Sequence, residues 1–213
     1  KLYFDVKKYD DAINAFNQSI SLTNILQPSP EQASSFYHLG LCYMQKKDFS
    51  NAKISFDKAQ ALHDILKINN TKDLINLQRG IIYKSTGKLD LAAVIFSTIV
   101  AKPDSPNILD AKAEALYQIG TIEMTNNRNN LALNYFNKAL DLNAKNKNLE
   151  QKSAILLALS NVYEKMLDKN NAYTYLKQHT NLKESITLMD NEKLGVDDYE
   201  KFKESERLAE TAR

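Results

Sequence analysis

The chain has 213 residues, of which 43% are hydrophobic and 25% charged, the composition of an ordinary globular protein. Its formal net charge of +2 and the lack of any basic stripe exclude broad electrostatic attraction to nucleic acid or an anionic membrane. Only 5 glycines and 4 prolines leave little room for long disordered linkers, no apolar run approaches the roughly 18 residues of a membrane span, and Cys42, the sole cysteine, excludes a disulfide framework or a cysteine zinc site within the chain.

Read from the N-terminus, the sequence repeats itself every 40 residues. Ala12, Ala52, Ala92, Ala132 and Ala172 form one series, and Phe16, Phe56, Phe96, Phe136 and Leu176 a second, always four residues after the alanine. Gly40, Gly80, Gly120 and Ser160 form a third, and Tyr3, Tyr43, Tyr83 and Tyr163 a fourth that Glu123 interrupts. A fixed period of this size marks a stack of equivalent units rather than one globular core. The units fall at about 1–27, 31–68, 71–102, 105–143 and 148–189, followed by a charged segment at 190–213.

The first unit opens at Lys1 with Tyr3 already at a repeat position that lies, in later units, near the end of a helix. Its first helix therefore reads as cut off, and the chain as a fragment of a longer protein whose localisation no signal peptide can report. Pro28-Ser29-Pro30 precedes the second unit. There Phe36, Leu39, Gly40 and Tyr43 line one face of a first helix, Lys46-Lys47-Asp48 make a polar turn, and Phe49, Ala52, Phe56, Ala59 and Leu62 line a second helix. Asn69-Asn70-Thr71 precedes the third unit, with Thr71 as the expected N-cap. Pro103 to Pro106 precedes the fourth, with Asp104 or Ser105 as cap and Pro106 near the first helical position. Asn143 to Asn148 precedes the last unit. No alternating strand pattern is present, so the chain reads as all α.

Three glycines at one phase of a helix need a reason, because glycine there costs about 0.5–1 kcal/mol relative to alanine. The expected reason is close approach of the partner helix through its alanines, with the phenylalanines filling the groove towards the next unit.

These series resemble the tetratricopeptide repeat, which pairs Leu-Gly-x-x-Tyr on a first helix with Ala-x-x-x-Phe-x-x-Ala on a second. Leu39-Gly40-Leu41-Cys42-Tyr43 followed by Ala52, Phe56 and Ala59 matches closely. Arg79, Ile99 and Glu123 depart from the pattern, and Ser160 with Leu176 makes the last unit degenerate. The resemblance covers roughly residues 1–180 and implies an all-α, right-handed superhelix, a solenoid of antiparallel helix pairs. The period of 40 exceeds the usual repeat of about 34 residues, and the surplus is expected after Ala59 and its counterparts. HEAT-like repeats share the period without the Gly-Tyr-Ala-Phe series.

In this family the first helices line a concave groove that holds peptides or partner segments. Phase places Tyr37, Leu41, Met44, Leu77, Ile81, Tyr117, Thr121, Leu157 and Asn161 there, with Lys84 and Glu114 among them. The resemblance thus implies a protein or peptide partner; the aliphatic members are equally readable as packing between units. Tyr37, Leu41, Leu77 and Ile81 stand where chaperone-tail adaptors place basic and amide groups, which argues against that specificity. His38, His63 and His179 are scattered, with no phosphate loop, no nucleophile with an assignable base and no ligand spacing, so no catalytic, metal or cofactor site is expected.

Tyr173 to Met189 reads as a helix, Asp190 to Lys193 as a polar break, and Asp197 to Arg213 as a new charged helix carrying Tyr199, Phe202 and Leu208. Tyr173-Thr174-Tyr175-Leu176, Leu182-Lys183-Glu184-Ser185 and the charged helix resemble the end of the repeat ectodomain of Bacteroidetes-type sensor histidine kinases. That resemblance implies a periplasmic sensor region of a membrane-bound two-component protein, dimerising through the terminal helix. The alternative is an adaptor or assembly scaffold, in the cytoplasm, with no output module.

Overall fold

The computed structural model describes residues 8–23, 27–68 and 71–211, with side chains excepted for 23, 146, 193, 194 and 196–211. Tyr3, Asn69, Asn70, Arg213 and the side chains of Tyr199, Phe202 and Leu208 lie outside the described residues. Nine helices and no strands are found among them: α1 Tyr9–Thr23, α2 Pro30–Gln45, α3 Phe49–Ile65, α4 Lys72–Ser85, α5 Leu89–Val100, α6 Leu109–Thr125, α7 Asn129–Asn146, α8 Leu149–Lys165 and α9 Lys169–Thr211. Helices α2, α4, α6 and α8 are first helices of their units; α1, α3, α5, α7 and α9 are second helices. Each packs on its neighbours in chain order, as a solenoid requires.

The turn inside each unit is the same piece of geometry. Lys47, Gly87, Asn127 and Leu167 take positive φ of 59°, 79°, 59° and 61°. The following amides, of Asp48, Lys88, Arg128 and Asp168, donate back to the carbonyls of Tyr43, Tyr83, Glu123 and Tyr163 at 2.8–2.9 Å. A left-handed residue followed by that long-range bond closes a helix C-terminus and reverses the chain within three residues. Asp48 and Asp168 then cap the next helix, accepting from the amides of Asn51 and Asn171 at 3.1 Å each.

Between units the caps vary. Ser29 accepts from the Gln32 amide at 3.2 Å, with Pro30 at the first helical position. Thr71 makes no side-chain cap bond; its hydroxyl meets His63 Nδ1 at 2.7 Å. Asp104, Ser105 and Pro106 do not start the fourth unit, because a turn at 106–108 intervenes and α6 begins at Leu109 with Ile108 in the cap position. Asp104 instead pairs with Lys112 at 2.6 Å and Lys145 at 3.6 Å. Ile108, 7% exposed, is drawn into the core, which explains the shift. The surplus length follows suit: α3 and α7 run to 17 and 18 residues, whereas α5 stops at 12 and leaves the extra residues in the connection.

The core is a series of clusters in which each phenylalanine is central. Phe56, Phe96 and Phe136 have no exposed surface. A Cβ built on Gly40, Gly80 or Gly120 would stand 2.7, 2.5 and 2.5 Å from Cε1 of Phe56, Phe96 and Phe136 respectively. The glycines therefore make room for the ring of their own unit rather than for alanines of the partner helix, and the same rings also pack towards the next unit: Phe56 clusters with Ile75 and Ile82, Phe96 with Ala111 and Ile119, and Phe136 with Ile155 and Leu159. In the last unit Ser160 takes the glycine's place and donates to the Ala172 carbonyl at 2.8 Å, while Leu176 replaces the ring and is 44% exposed. Where Glu123 replaces the recurring tyrosine, Arg128 pairs with it at 2.7 Å; the tyrosine at the same phase, Tyr83, instead has the Lys88 ammonium 5.9 Å from its ring centroid.

Helix α9 does not break at Asp190–Lys193 or restart at Asp197; its 43 residues are continuous. That stretch holds no proline, and Gly195 alone, at about 1 kcal/mol, is too weak to end a helix. At 1.5 Å per residue it spans about 65 Å. It lies antiparallel on α8: Tyr175 stacks on Tyr163 at 5.5 Å, His179 Nδ1 meets Ser153, and Lys183 pairs with Glu150 at 3.0 Å. Since α8 begins at Leu149, the part of α9 after the buried Ile186 runs on beyond the repeats. The exposed surface of α9 is mixed: polar Thr180, Glu184 and Asn191 alternate with Tyr173, Leu176, Leu188 and Met189, which are 67%, 44%, 63% and 47% exposed.

Candidate protein-binding face

The first helices α2, α4, α6 and α8 bring the residues selected by phase onto one face, two to three from each helix. Tyr37 and Tyr117 stand equivalently. Their rings lie 5.7 and 5.8 Å from Phe56 and Phe136, so each phenol is anchored on its own unit's core while keeping an accessible edge. Burial pushes both phenols above their usual pKa; Gln78 hydrogen-bonds the first, and the Glu114 carboxylate adds to the rise of the second. Leu41 and Met44 are half-buried against the Phe56 cluster and Ile81 against the Phe96 cluster. Leu77, 4% exposed, is a core residue with no free surface to offer. Thr121 is half-buried, Leu157 is 36% exposed, and Asn161 is exposed. The face thus mixes apolar and polar surface: Tyr37, Leu41, Met44 and Ile81 on α2 and α4, Tyr117 and Thr121 on α6, and Leu157 and Asn161 on α8.

A hydrogen-bonded chain of side chains crosses the middle of this face. Lys84 donates to Gln118 and to Thr121 Oγ1, the latter at 2.7 Å. Gln118 donates to Glu114 at 2.6 Å, and Gln151 Nε2 lies 3.4 Å from the other Glu114 oxygen and 3.1 Å from the Asp110 carbonyl. Asn143 donates to Gln151 Oε1 at 3.2 Å. Gln118, Gln151 and Asn143 are 7%, 8% and 1% exposed. Burial holds the Lys84 ammonium below its usual pKa, and Glu114 partly opposes that. A satisfied buried network fixes the relative position of α4, α6 and α8. Lys84 and Glu114 were legible by phase, but Gln118, Gln151 and Asn143 were not, because glutamine and asparagine at a helix surface carry no periodic signal. Their one signature is Glu114, Gln118 and Thr121 at helical spacing on α6.

Each histidine has a structural partner: His38 stacks on Phe16 at 5.7 Å, His63 meets Thr71, and His179 meets Ser153. Cys42 is fully buried, and burial pushes its thiol up, so it packs as a small hydrophobe. Among the described residues no three His, Cys, Asp or Glu side chains cluster at metal-binding distance, and no helix is long and apolar enough to cross a membrane. Two clefts of about 620 and 590 Å³ lie off the concave face, one between α1, α2 and α3 and one between α7, α8 and α9.

A tetratricopeptide-repeat family model matches residues 33–62 and 113–146. No curated protein matches the sequence. Among solved structures the chain is similar to BtubC (BKLC) from P. vanneervenii, at 12% identity and a TM-score of 0.61 over 87% of this chain and 77% of that one. A putative kinesin light chain of Podosopora anserina with TPR-like repeats aligns at 14% identity and 0.56, over 87% and 91%. MamA from Desulfovibrio magneticus RS-1 aligns at 16% and 0.51, over 87% and 95%. Identities this low speak to the fold alone. The two matched stretches lie in the second and fourth units, and the chain has an all-α solenoid fold like that of these structures.

Proposed function

We propose that the chain is a non-catalytic protein-interaction scaffold, an adaptor or assembly module that holds a peptide or partner segment along the face of α2, α4, α6 and α8. The observation that carries this reading is the equivalent anchoring of Tyr37 and Tyr117, two units apart and each seated on its own unit's core phenylalanine, on a face that the Lys84–Gln118–Glu114–Gln151 chain makes rigid. Rigid aromatic anchors lose little conformational entropy on binding. Peptides selected from a displayed library against the chain test it. Leu157→Glu and Asn161→Arg, both at exposed positions, should weaken the selected peptides roughly tenfold or more while leaving helicity unchanged. Selected peptides that bind both variants as well as the parent would sink the assignment of the face.

One feature favours a second reading: α9 runs on helically to Thr211 past the last repeat. In that reading the repeats are the extracytoplasmic sensor region of a membrane-bound two-component protein, and residues 190–213 pair two copies and pass a change onward. Partner binding then acts only by favouring one geometry over another. Sedimentation of the chain with and without 190–213 tests it: a dimer lost on deletion supports it, and a monomer at all concentrations removes it.

A further inference from the structure

Two clefts between second helices, off the concave face, hold a lysine at the same phase and meet it differently. Over α6 the chain fills its own cleft. Helix α5 stops at Val100, and the non-helical connection 101–108 lies against α6. There Lys112, 7% exposed, donates to the Lys102 carbonyl and to the Asp104 carboxylate, both at 2.6 Å. Lys112 thus grips a short piece of chain by a carbonyl and by an aspartate two residues on, and a space of about 290 Å³ remains beside it. One unit later the chain supplies no such piece. Helix α7 continues to Asn146, Ala144 stands at the phase of Asp104, and only 147–148 lead into α8. Lys152 stands at the phase of Lys112 and is exposed; among the described residues neither it nor Lys147 makes an ion pair. Both line the cleft of about 590 Å³ between α7, α8 and α9, over an apolar floor of Leu140, Leu156 and Leu149, the last 37% exposed. Asp141 lines this cleft too, but it also borders the cleft over α6 and does not keep Asp104 out of that one.

We propose that the cleft between α7, α8 and α9 binds a non-helical acidic segment of a partner protein, with Lys152 holding a backbone carbonyl and the aspartate two residues after it. The selection is by charge: Lys152 and Lys147 offer two cations without a carboxylate, and the connection at Lys112 shows the arrangement that satisfies one of them. The apolar floor takes the side chains that flank the aspartate. The described chain has no segment of its own to place there. From Gln178 on the cleft wall, α9 runs on as a helix to Thr211, about 50 Å away, and α1 lies three units back. A continuation would have to retrace that length, whereas a segment of another protein carries no such tether. The cleft is apart from the concave face, so loss of one activity leaves the other measurable.

The test uses a fluorescein-labelled synthetic peptide with the sequence of residues 101–108, titrated with the 213-residue chain and followed by polarisation. A contact this small is expected to bind saturably with a Kd of roughly 10–500 μM. Asp104→Asn in the peptide should weaken binding at least roughly fivefold, and Lys152→Glu in the chain at least roughly tenfold, because each removes a charge-assisted bond. Leu157→Glu, on the concave face, should leave it unchanged. The peptide variant reads the same contact without altering the chain, so the test stands should Lys152→Glu disturb α8. Absence of binding up to about 1 mM, or equal binding of the Asp104→Asn peptide, overturns the proposal. So does loss of binding in Leu157→Glu with retention in Lys152→Glu, which would assign the peptide to the concave face. Self-association of the chain without peptide, abolished by Lys152→Glu, would make a second copy the occupant and overturn it as well.

Discussion

The Cα of Gly80 faces the ring of Phe96 so closely that a Cβ there would stand 2.5 Å from Cε1 and 3.0 Å from Cζ. Ring and glycine are one unit of fit, repeated at Gly40–Phe56 and Gly120–Phe136 and relaxed to Ser160–Leu176. Gly80→Ala should therefore destabilise by roughly 1–3 kcal/mol through overpacking, against a helix-propensity gain of about 1 kcal/mol that an exposed site would show. Phe96→Leu alone leaves a gap. Gly80→Ala with Phe96→Leu should cost less than the sum of the two, by roughly 0.5–3 kcal/mol, because the added methyl occupies part of the space the ring vacates. Urea midpoints of the four proteins measure the coupling; strict additivity would show that the two positions do not share the space.

The turn between α8 and α9 places Leu167 at φ 61° with 82% of its surface exposed. A left-handed conformation costs an L-residue roughly 1–2 kcal/mol, and the equivalent turn between α4 and α5 meets it with Gly87 at φ 79°. Leu167→Gly should raise stability by about 1 kcal/mol, a rise of some 2–4 °C in Tm for a chain of this size. Gly87→Val should lower it by at least as much. A Leu167→Gly protein that melts below the parent would show that the leucine makes a contact outweighing the backbone strain.

The repeating parts of the structure were legible because they obey one rule in every unit: helix pairs, the glycine phase, the buried phenylalanines and the short turn all recur at fixed spacing. What was missed is what differs between units. The start of α6 shifted to Leu109 because Ile108 packs inward, a tertiary choice that a cap motif at Asp104-Ser105-Pro106 cannot reveal. Asp197-Asp198 read as a helix start because aspartate caps helices, yet an interior aspartate costs too little to begin a new one. Phase places eleven residues on the candidate face, and burial separates them: Leu77 is inside, Leu157 and Asn161 are accessible. The network through Gln118 and Gln151 needs three helices to exist, so no single helix's sequence carries it.

His63 is 4% exposed with its Nδ1 at 2.7 Å from the Thr71 hydroxyl, and burial lowers its pKa, the nearby Asp64 opposing weakly. A base whose pKa is depressed by folding binds more protons when unfolded. Stability at this site is therefore intact above the unfolded value of about 6.5 and falls as pH drops below it towards the lower folded value. Asn143 occupies the same phase two units on and is itself buried and bonded, so the fold accepts an amide there. His63→Asn should keep stability at pH 8 within about 1 kcal/mol and flatten the loss as pH falls below about 6.5. Thermal midpoints of both proteins across that range decide it; parallel curves would assign the acid sensitivity to other groups.

Lys84 is the one cation in a row where Met44 and Met124 stand one unit to either side. It supplies the donors that Gln118 Oε1 and Thr121 Oγ1 accept, and Gln118 is 7% exposed. Lys84→Met fits the row sterically but leaves the Gln118 oxygen buried without that donor, at a cost of roughly 1–3 kcal/mol. Gln118→Ala, the residue that Ala158 provides one unit on, removes the orphaned group. The double variant Lys84→Met with Gln118→Ala should therefore be more stable than Lys84→Met alone, while Glu114 keeps Gln151 beside it. A second readout follows from the direction of the Lys84 shift. Its pKa is lowered by folding, so between the folded value and the unfolded value of about 10.4 the parent gains stability with rising pH relative to Lys84→Met. Urea midpoints at neutral pH and again near pH 10 measure both effects. A double variant weaker than Lys84→Met at neutral pH would show that Gln118 has a role in the packing of α6 that does not depend on the lysine.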